Sequence, residues 1–338
     1  SLLKIINDVK ENRKAEREGI LYDLKEFVKR YKWLTKFLVI LYFGLHESVR
    51  YIKTWCILML TSKNQKTSKQ FSNIEKNHHF DTEITSGDKT NGVSAMLRVK
   101  NEEEIILDCL RSIIFVFDEI VVVDNNSTDL TVEKIAQFQQ EFDCDNKIKL
   151  LSYPFSVSRC GQEHQNTPSN SLHSLAYYYN WSLSKCSRKA VFKWDADMIL
   201  SSDPDAIKQF TDYLKLFSHG QNRYGSIAIQ TLYIDKTGKK FLSKSEINSE
   251  IRIFKNYPNN FFDKDTNWEV LKLEYGFQKN MNNVLIYEVK DVRKNEFTNW
   301  STKSFKTERK VREFRNYLYV QRGHHNGSKE LFESIERV

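Results

Sequence analysis

The feature that most constrains this chain is an alternation that begins at residue 93. VSAMLRV is a short apolar run suited to a buried strand. NEEEIILDCLRSIIFV follows with helical spacing, Asn101 placed to cap it and acidic residues in its first turn. DEIVVVDNNSTD then reads as strand and turn, LTVEKIAQFQQEF as a second helix, and KIKLLSYPF as a third strand. Strand, helix, strand, helix, strand predicts right-handed crossovers and a parallel sheet covered by helices. There is no internal repeat. GxGxxG and the Walker phosphate loop are both absent, so neither a dinucleotide fingerprint nor a P-loop is read here.

The flanks read differently. Residues 1–62 predict a helical extension. Its apolar pieces FLVILYFGL (37–45) and YIKTWCILML (51–60) are too short to span a bilayer, which takes about 20 apolar residues. Either they pack as a helical hairpin on protein, or they lie on a membrane surface, where Trp33, Trp55 and the flanking Lys and Arg would suit them. Residues 63–91 are polar with no apolar period and read as a linker or long surface loop. The remainder, 92–338, is expected to be one domain, with a nucleotide-binding half (92–200) and an acceptor half (201–338).

Composition narrows the partners. The net charge of +8 suits a nucleic acid, an anionic membrane or a phosphorylated substrate. No zinc-finger spacing, RNA-binding signature or long basic run is present, so nucleic acid is not expected. The 5 cysteines are scattered and include no CxxC, which fits a reducing cytoplasm and small buried side chains.

Two motifs carry chemistry. VVVDNNSTD ends a β-branched strand at Asp124, at the carboxyl edge where ligands of open α/β sheets bind. Ser127, Thr128 and Asp129 are placed to cap the next helix. VFKWDADMIL ends an apolar run in Asp195-Ala196-Asp197. In an extended segment residues i and i+2 share a face, so both carboxylates are expected to address one ligand. Mg²⁺ and Mn²⁺ are hard cations that favour carboxylate oxygen and substrate phosphates.

From residue 93 to about 200 the chain resembles the family 2 glycosyltransferases of the GT-A fold. The likeness rests on MLRVKNEEEI, on VVVDNNSTD, and on Asn180 in YYYNWSLSKCSRKAVFKWDADM, about 15 residues ahead of the DxD strand. It implies a Rossmann-like α/β fold and transfer of a sugar from a nucleotide-diphosphate donor of UDP or GDP type. The acceptor would be a saccharide or lipid-linked hydroxyl, and the outcome inversion. It further implies surface polysaccharide or glycan synthesis, in the cytoplasm or at the periphery of a membrane. Carried over by position, Arg98, Glu102, Asp124, Asn180 and Asp195 would hold the nucleotide. Asp195 and Asp197 would hold Mn²⁺ or Mg²⁺. One departure is Tyr179, which stands where such proteins usually carry Arg. The stretch SRCGQEHQNTPSNS (158–171) is longer than usual and is either a surface loop or a cover that brings Arg159, Glu163 or His164 over the donor.

Members of that family often carry an acidic general base in the region matching 252–276. Glu269, beside Trp268, is the first choice, then Asp265 and Asp263. Phe261, Phe262 and Trp268 are either sugar-stacking or core. His324 and His325 in GHHN are candidates for a further metal ligand or a solvated pair. The basic segment 303–322 reads as a solvated helix face or as a surface for a polyanion. Two other classes compete. A nucleotidyltransferase would need a Gly-rich loop that MLRVKNEEE lacks, and a non-catalytic membrane-associated scaffold would not need Asp195, Asp197 and Glu269.

Overall fold

The computed structural model describes residues 67–87, 89–293, 308–327 and 330–335, together with Val49. The chain divides into two compact units, Ser1–Lys63 and Asn64–Val338, and the second contains the sheet and its helices. The helical extension expected over 1–62, Cys56 and the first residues of the basic segment 303–322 otherwise lie outside the described residues. Among the described residues, no helix is long and apolar enough to cross a membrane.

The predicted alternation is present. Strand β3 (Thr90–Val99) leads through α1 (Ile106–Ile113) to β4 (Glu119–Asp124), then through α2 (Thr131–Phe142) to β5 (Ile148–Ser152). β3 pairs in parallel with β4, and β4 with β5. The apolar runs are continuous rather than alternating because helices cover both faces of the sheet. Every residue of β4 is buried.

Helix α3 (Gln162–Asn166) and helix α4 (Leu175–Ser184) precede β6 (Arg188–Asp195), which pairs in parallel with the other side of β3. Beyond β6 the sheet becomes mixed. β7 (Met198–Leu200), α5 (Pro204–Ser218), β8 (Tyr224–Ile234), β9 (Lys240–Lys255) and β12 (Met281–Asp291) complete most of it. The order is β5-β4-β3-β6-β9-β8-β12-β7, with β13 (Phe332–Ile335) on β9. β9 runs antiparallel to both β6 and β8, while β8 and β12 are parallel. A short ribbon of β10 (Phe261–Lys264) and β11 (Glu269–Lys272) stands apart from this sheet.

One core cluster joins α1, α2 and α5 to one face, through Ile106, Ile113, Ile135, Phe138, Phe210 and Phe217. A second joins α4 to the other face, through Tyr178, Trp181, Leu183 and Phe262. Phe262 is therefore core, whereas Trp268 is 37% exposed. A small third cluster packs helix α6 (Glu308–Gln321) by Tyr317 and Val320 against Tyr233 and Phe241. The outer face of α6 keeps Arg315 in solvent.

The stretch expected as a linker is ordered over most of its length. β1 (Ser68–Phe71) pairs antiparallel with β2 (Thr82–Thr85). Ile84 is fully buried, and Phe80 lies 5.7 Å from both Tyr153 and Trp181. A few isolated apolar anchors give no period, so nothing local marks the ribbon. Cys109 and Cys186 are buried as expected, and burial pushes both thiols up. Cys144 and Cys160 are at the surface instead.

Candidate active site

The site forms where β3, β4 and β6 end. The loop after β3 and the turn after β4 are tied together. Asn101, left-handed at φ 57°, accepts from Thr128 N–H at 2.8 Å and donates its own N–H to Ser127. Glu102 N–H donates to Thr131 Oγ1 at 2.7 Å, and Glu103 takes the Leu130 N–H. Asn101 is thus a loop clamp and not the cap of α1, whose N-cap position is Ile105. Asp129 does satisfy the start of α2 by accepting from Thr131 N–H. Asp124 is buried at the end of β4, and its carboxylate accepts from Ser127 N–H at 3.2 Å, closing the turn.

Asp195 ends β6, and the chain then turns at Ala196 and Asp197. The turn gives the two carboxylates different partners. Asp195 Oδ1 accepts from Arg98 Nη2 at 2.7 Å, and its Oδ2 accepts from Arg252 Nη1 of β9. Burial opposes the charge on Asp195, but Arg252, Lys193 and Arg98 outweigh it and hold the carboxyl well below its usual range. Arg252 also meets Glu250 at 2.7 Å, and Glu250 meets Arg309 of α6. Asp197 Oδ2 accepts from Lys290 Nζ of β12 at 3.0 Å, and the same ammonium meets Glu288 at 3.0 Å. Asp195 and Asp197 therefore do not share a ligand-facing surface in the way an unbroken strand would give.

Tyr179 accounts for the departure noted in the sequence. Its ring lies 3.5 Å beneath the Arg98 guanidinium and 5.1 Å from Lys193 Nζ, a cation–π seat that fixes Arg98 beside Asp195. Lys193 meets Glu269 of β11 at 3.2 Å, so Glu269 is brought to the strand end that carries Asp195. Asp265 is exposed, and its backbone carbonyl takes the buried His164 at 3.0 Å. Asp263 accepts from its neighbour Lys264 N–H.

A cleft of about 690 Å³ opens along this edge. Lys100, Glu102, Arg159, Asp197, Asp291 and Arg293 are among its lining residues. The segment after β5 links it to Glu269. Arg159 lines the cleft, while Gly161 N–H donates to Asn267, two residues before Glu269, at 2.8 Å. Of the long stretch 158–171, Arg159 reaches the cleft and His164 is buried against the Asp265 carbonyl.

Asn180 is not among the residues that line this cleft. It is buried on α4, where its amide donates to the Phe262 carbonyl at 2.7 Å and accepts the Phe262 N–H at 2.8 Å. Its contacts hold β10, and with it the ribbon that carries Glu269. Asn180→Ala leaves both backbone groups short of a partner and should cost about 1–3 kcal/mol. Urea denaturation of the variant checks this, and an unchanged midpoint would contradict the clasp.

The histidines do not join the carboxylates. His325 is buried against Phe241 and meets Asp235 at 3.2 Å, and His324 lies against Tyr319. Among the described residues no group of three or more His, Cys, Asp or Glu side chains is gathered for a metal ion. Both oxygens of Asp195 are taken by guanidinium groups and Asp197 by an ammonium, so the residues present do not fit a divalent ion as arranged.

Sequence reading missed Lys193, Arg252, Glu288 and Lys290. Lys193 had a signal, since it precedes Asp195 by two positions on the same strand face. Arg252 in EIRIF and Lys290 in IYEVKDV are charges inside apolar strands, a pattern that asks for a buried partner.

Residues 94–155 match the model of glycosyl transferase family 2, over the β3-α1-β4-α2-β5 segment, which contributes Lys100 to Asp108 of the cleft lining. No curated protein matches the chain. Among solved structures, S. aureus TarS 1-349 is similar at 14% identity over 58% of this chain and 60% of that one, with a TM-score of 0.36. The mannosyltransferase PcManGT from Pyrobaculum calidifontis, in complex with GDP-Man and Mn²⁺, is similar at 15% identity, covering 62% and 60%, with a TM-score of 0.37. Glucosyl-3-phosphoglycerate synthase from Mycobacterium tuberculosis, in complex with Mg²⁺ and UDP, is similar at 20% identity, covering 42% and 44%, with a TM-score of 0.26. In each case the match spans less than two thirds of the solved chain.

Proposed function

We propose that the chain is a glycosyltransferase that takes its sugar from a nucleotide-diphosphate donor of UDP or GDP type and passes it to a hydroxyl of a saccharide or lipid-linked acceptor. One observation carries this reading. Arg98, Lys193, Asp195 and Glu269 converge at the carboxyl ends of β3 and β6, Arg98 within the segment that matches the family model and the other three beside it. The adjoining cleft is within the size range of small-molecule sites.

In this reading the donor lies along the strand ends, with Glu102 and Asp124 toward the nucleoside and Asp195 near the ribose. Glu269 takes the proton of the acceptor hydroxyl as its oxygen attacks the anomeric carbon. The bond from that carbon to the diphosphate oxygen breaks, its electron pair leaves with the nucleoside diphosphate, and the anomeric centre inverts. Tyr179 and Lys193 position Arg98 and Glu269.

Thermal denaturation against a panel of UDP and GDP sugars tests the assignment. A donor present at one hundred times its Kd should add about 2.7 kcal/mol to stability. A panel in which no nucleotide or nucleotide sugar moves the midpoint would contradict it.

A further inference from the structure

The two carboxylates that would be expected to hold a metal are already seated on side-chain cations. Arg98 and Arg252 are 7% and 5% exposed, and both close on Asp195. Lys290 is 6% exposed and bridges Asp197 to Glu288. These are not flexible surface partners. Tyr179 supports Arg98 from below, and Glu250 braces Arg252 from the side. The charge of Lys290 helps hold Glu288 well below its usual range, against the opposing effect of burial.

A divalent ion entering between Asp195 and Asp197 would sit against Arg98, Arg252 and Lys290, buried cations already paired with the same carboxylates, and like charges at that range repel. The guanidinium groups also keep unspent capacity. Arg98 Nε and Nη1 and Arg252 Nε are buried donors with no hydrogen-bond partner among the described residues. Buried donors left unmet are costly, and a fork of guanidinium N–H groups matches phosphate oxygens. Further cations, Lys100 and Arg159, line the adjoining cleft.

We propose that this chain binds the diphosphate of its donor without a divalent metal, using Arg98, Arg252 and Lys290, which Asp195 and Asp197 hold at the strand ends. The proposal rests on the nucleotide-sugar assignment. The carboxylates then serve as seats for fixed cations rather than as metal ligands. A side-chain cation does the electrostatic work of the ion by offsetting the negative charge that gathers on the leaving diphosphate.

Isothermal titration of UDP and of GDP into the full chain, in EDTA and again in excess Mn²⁺, tests this directly. The expected result is binding of at least one of them in EDTA, with an affinity within about threefold of that in Mn²⁺. Binding that is lost in EDTA and restored by Mn²⁺ would overturn the inference and leave the transferase assignment standing. Binding of neither nucleotide under either condition would overturn that assignment as well.

Lys290→Met supplies an independent arm. It should weaken binding in EDTA by about tenfold or more. A folded variant, judged by circular dichroism, that binds the nucleotide as well as the wild type in EDTA would overturn the role of Lys290.

Discussion

Replacing Asp195 with asparagine is expected to destabilise the chain by about 2–3 kcal/mol, the upper range for hydrogen bonds to charged groups, because its carboxylate is 30% exposed while both guanidinium partners are buried. The change is nearly isosteric, so packing is not the cause. Arg98 and Arg252 would lose the carboxylate between them, and Arg98 has no other carboxylate in contact with its guanidinium among the described residues. Asp197→Asn should cost less, because Lys290 keeps Glu288 at 3.0 Å.

The effect has a pH signature. Arg252, Lys193 and Arg98 overcome the cost of burial, so the folded pKa of Asp195 lies below the unfolded value of about 3.9. A depressed folded pKa gives stability that is fully present above the unfolded value and is lost as pH falls through the folded one. The gap between wild type and Asp195→Asn should therefore be widest near neutral pH. It should narrow once the pH drops below about 4. Urea denaturation at neutral and acid pH measures it, and a gap independent of pH would show that the charge of Asp195 contributes nothing.

The second large effect concerns chemistry. Glu269→Gln should lower turnover by about 10²–10⁴, the contribution of a positioned general base. Donor affinity should change little, because the side chain contacts Lys193 and is not expected to touch the nucleotide. Loss in kcat at nearly constant KM for the donor is the expected pattern. Asp265→Asn is the control. Asp265 is exposed and uses its backbone carbonyl to hold His164, so its carboxylate should be dispensable. If Asp265→Asn abolishes turnover while Glu269→Gln leaves it intact, the two roles are reversed.

How much of the molecule was legible depended on range. β3, β4 and β5 were readable because each is a continuous apolar run bounded by polar turns, and the helices between them carry their own period. The strand ending at Asp195 was readable for the same reason. β9 was not, because KFLSKSEINSEIRIFK alternates weakly, and beyond its hairpin partner β8 it is held by β6 and β13, far away in sequence. The surroundings of the aspartates were invisible in a stronger sense. Arg98, Arg252 and Lys290 come from three other strands, and no local pattern says that they close on the DxD segment. Asn180 shows the converse. Its position was found by likeness, yet its contacts are to the backbone of Phe262.

The proposed reaction, transfer of a sugar from a nucleotide-diphosphate donor, is placed at the cleft lined by Asp197 and Arg159, with Glu269 held by Lys193 at the neighbouring strand end. The direct measurement is chromatographic analysis of the products formed when the chain is incubated with UDP and GDP sugars, water serving as the minimal acceptor. At least one donor is expected to yield nucleoside diphosphate and free sugar in equal amounts, with Glu269→Gln suppressing both. Release of nucleoside monophosphate and sugar phosphate would mean attack at phosphorus, as in nucleotidyl chemistry, and that result, or no turnover of any donor, would contradict it.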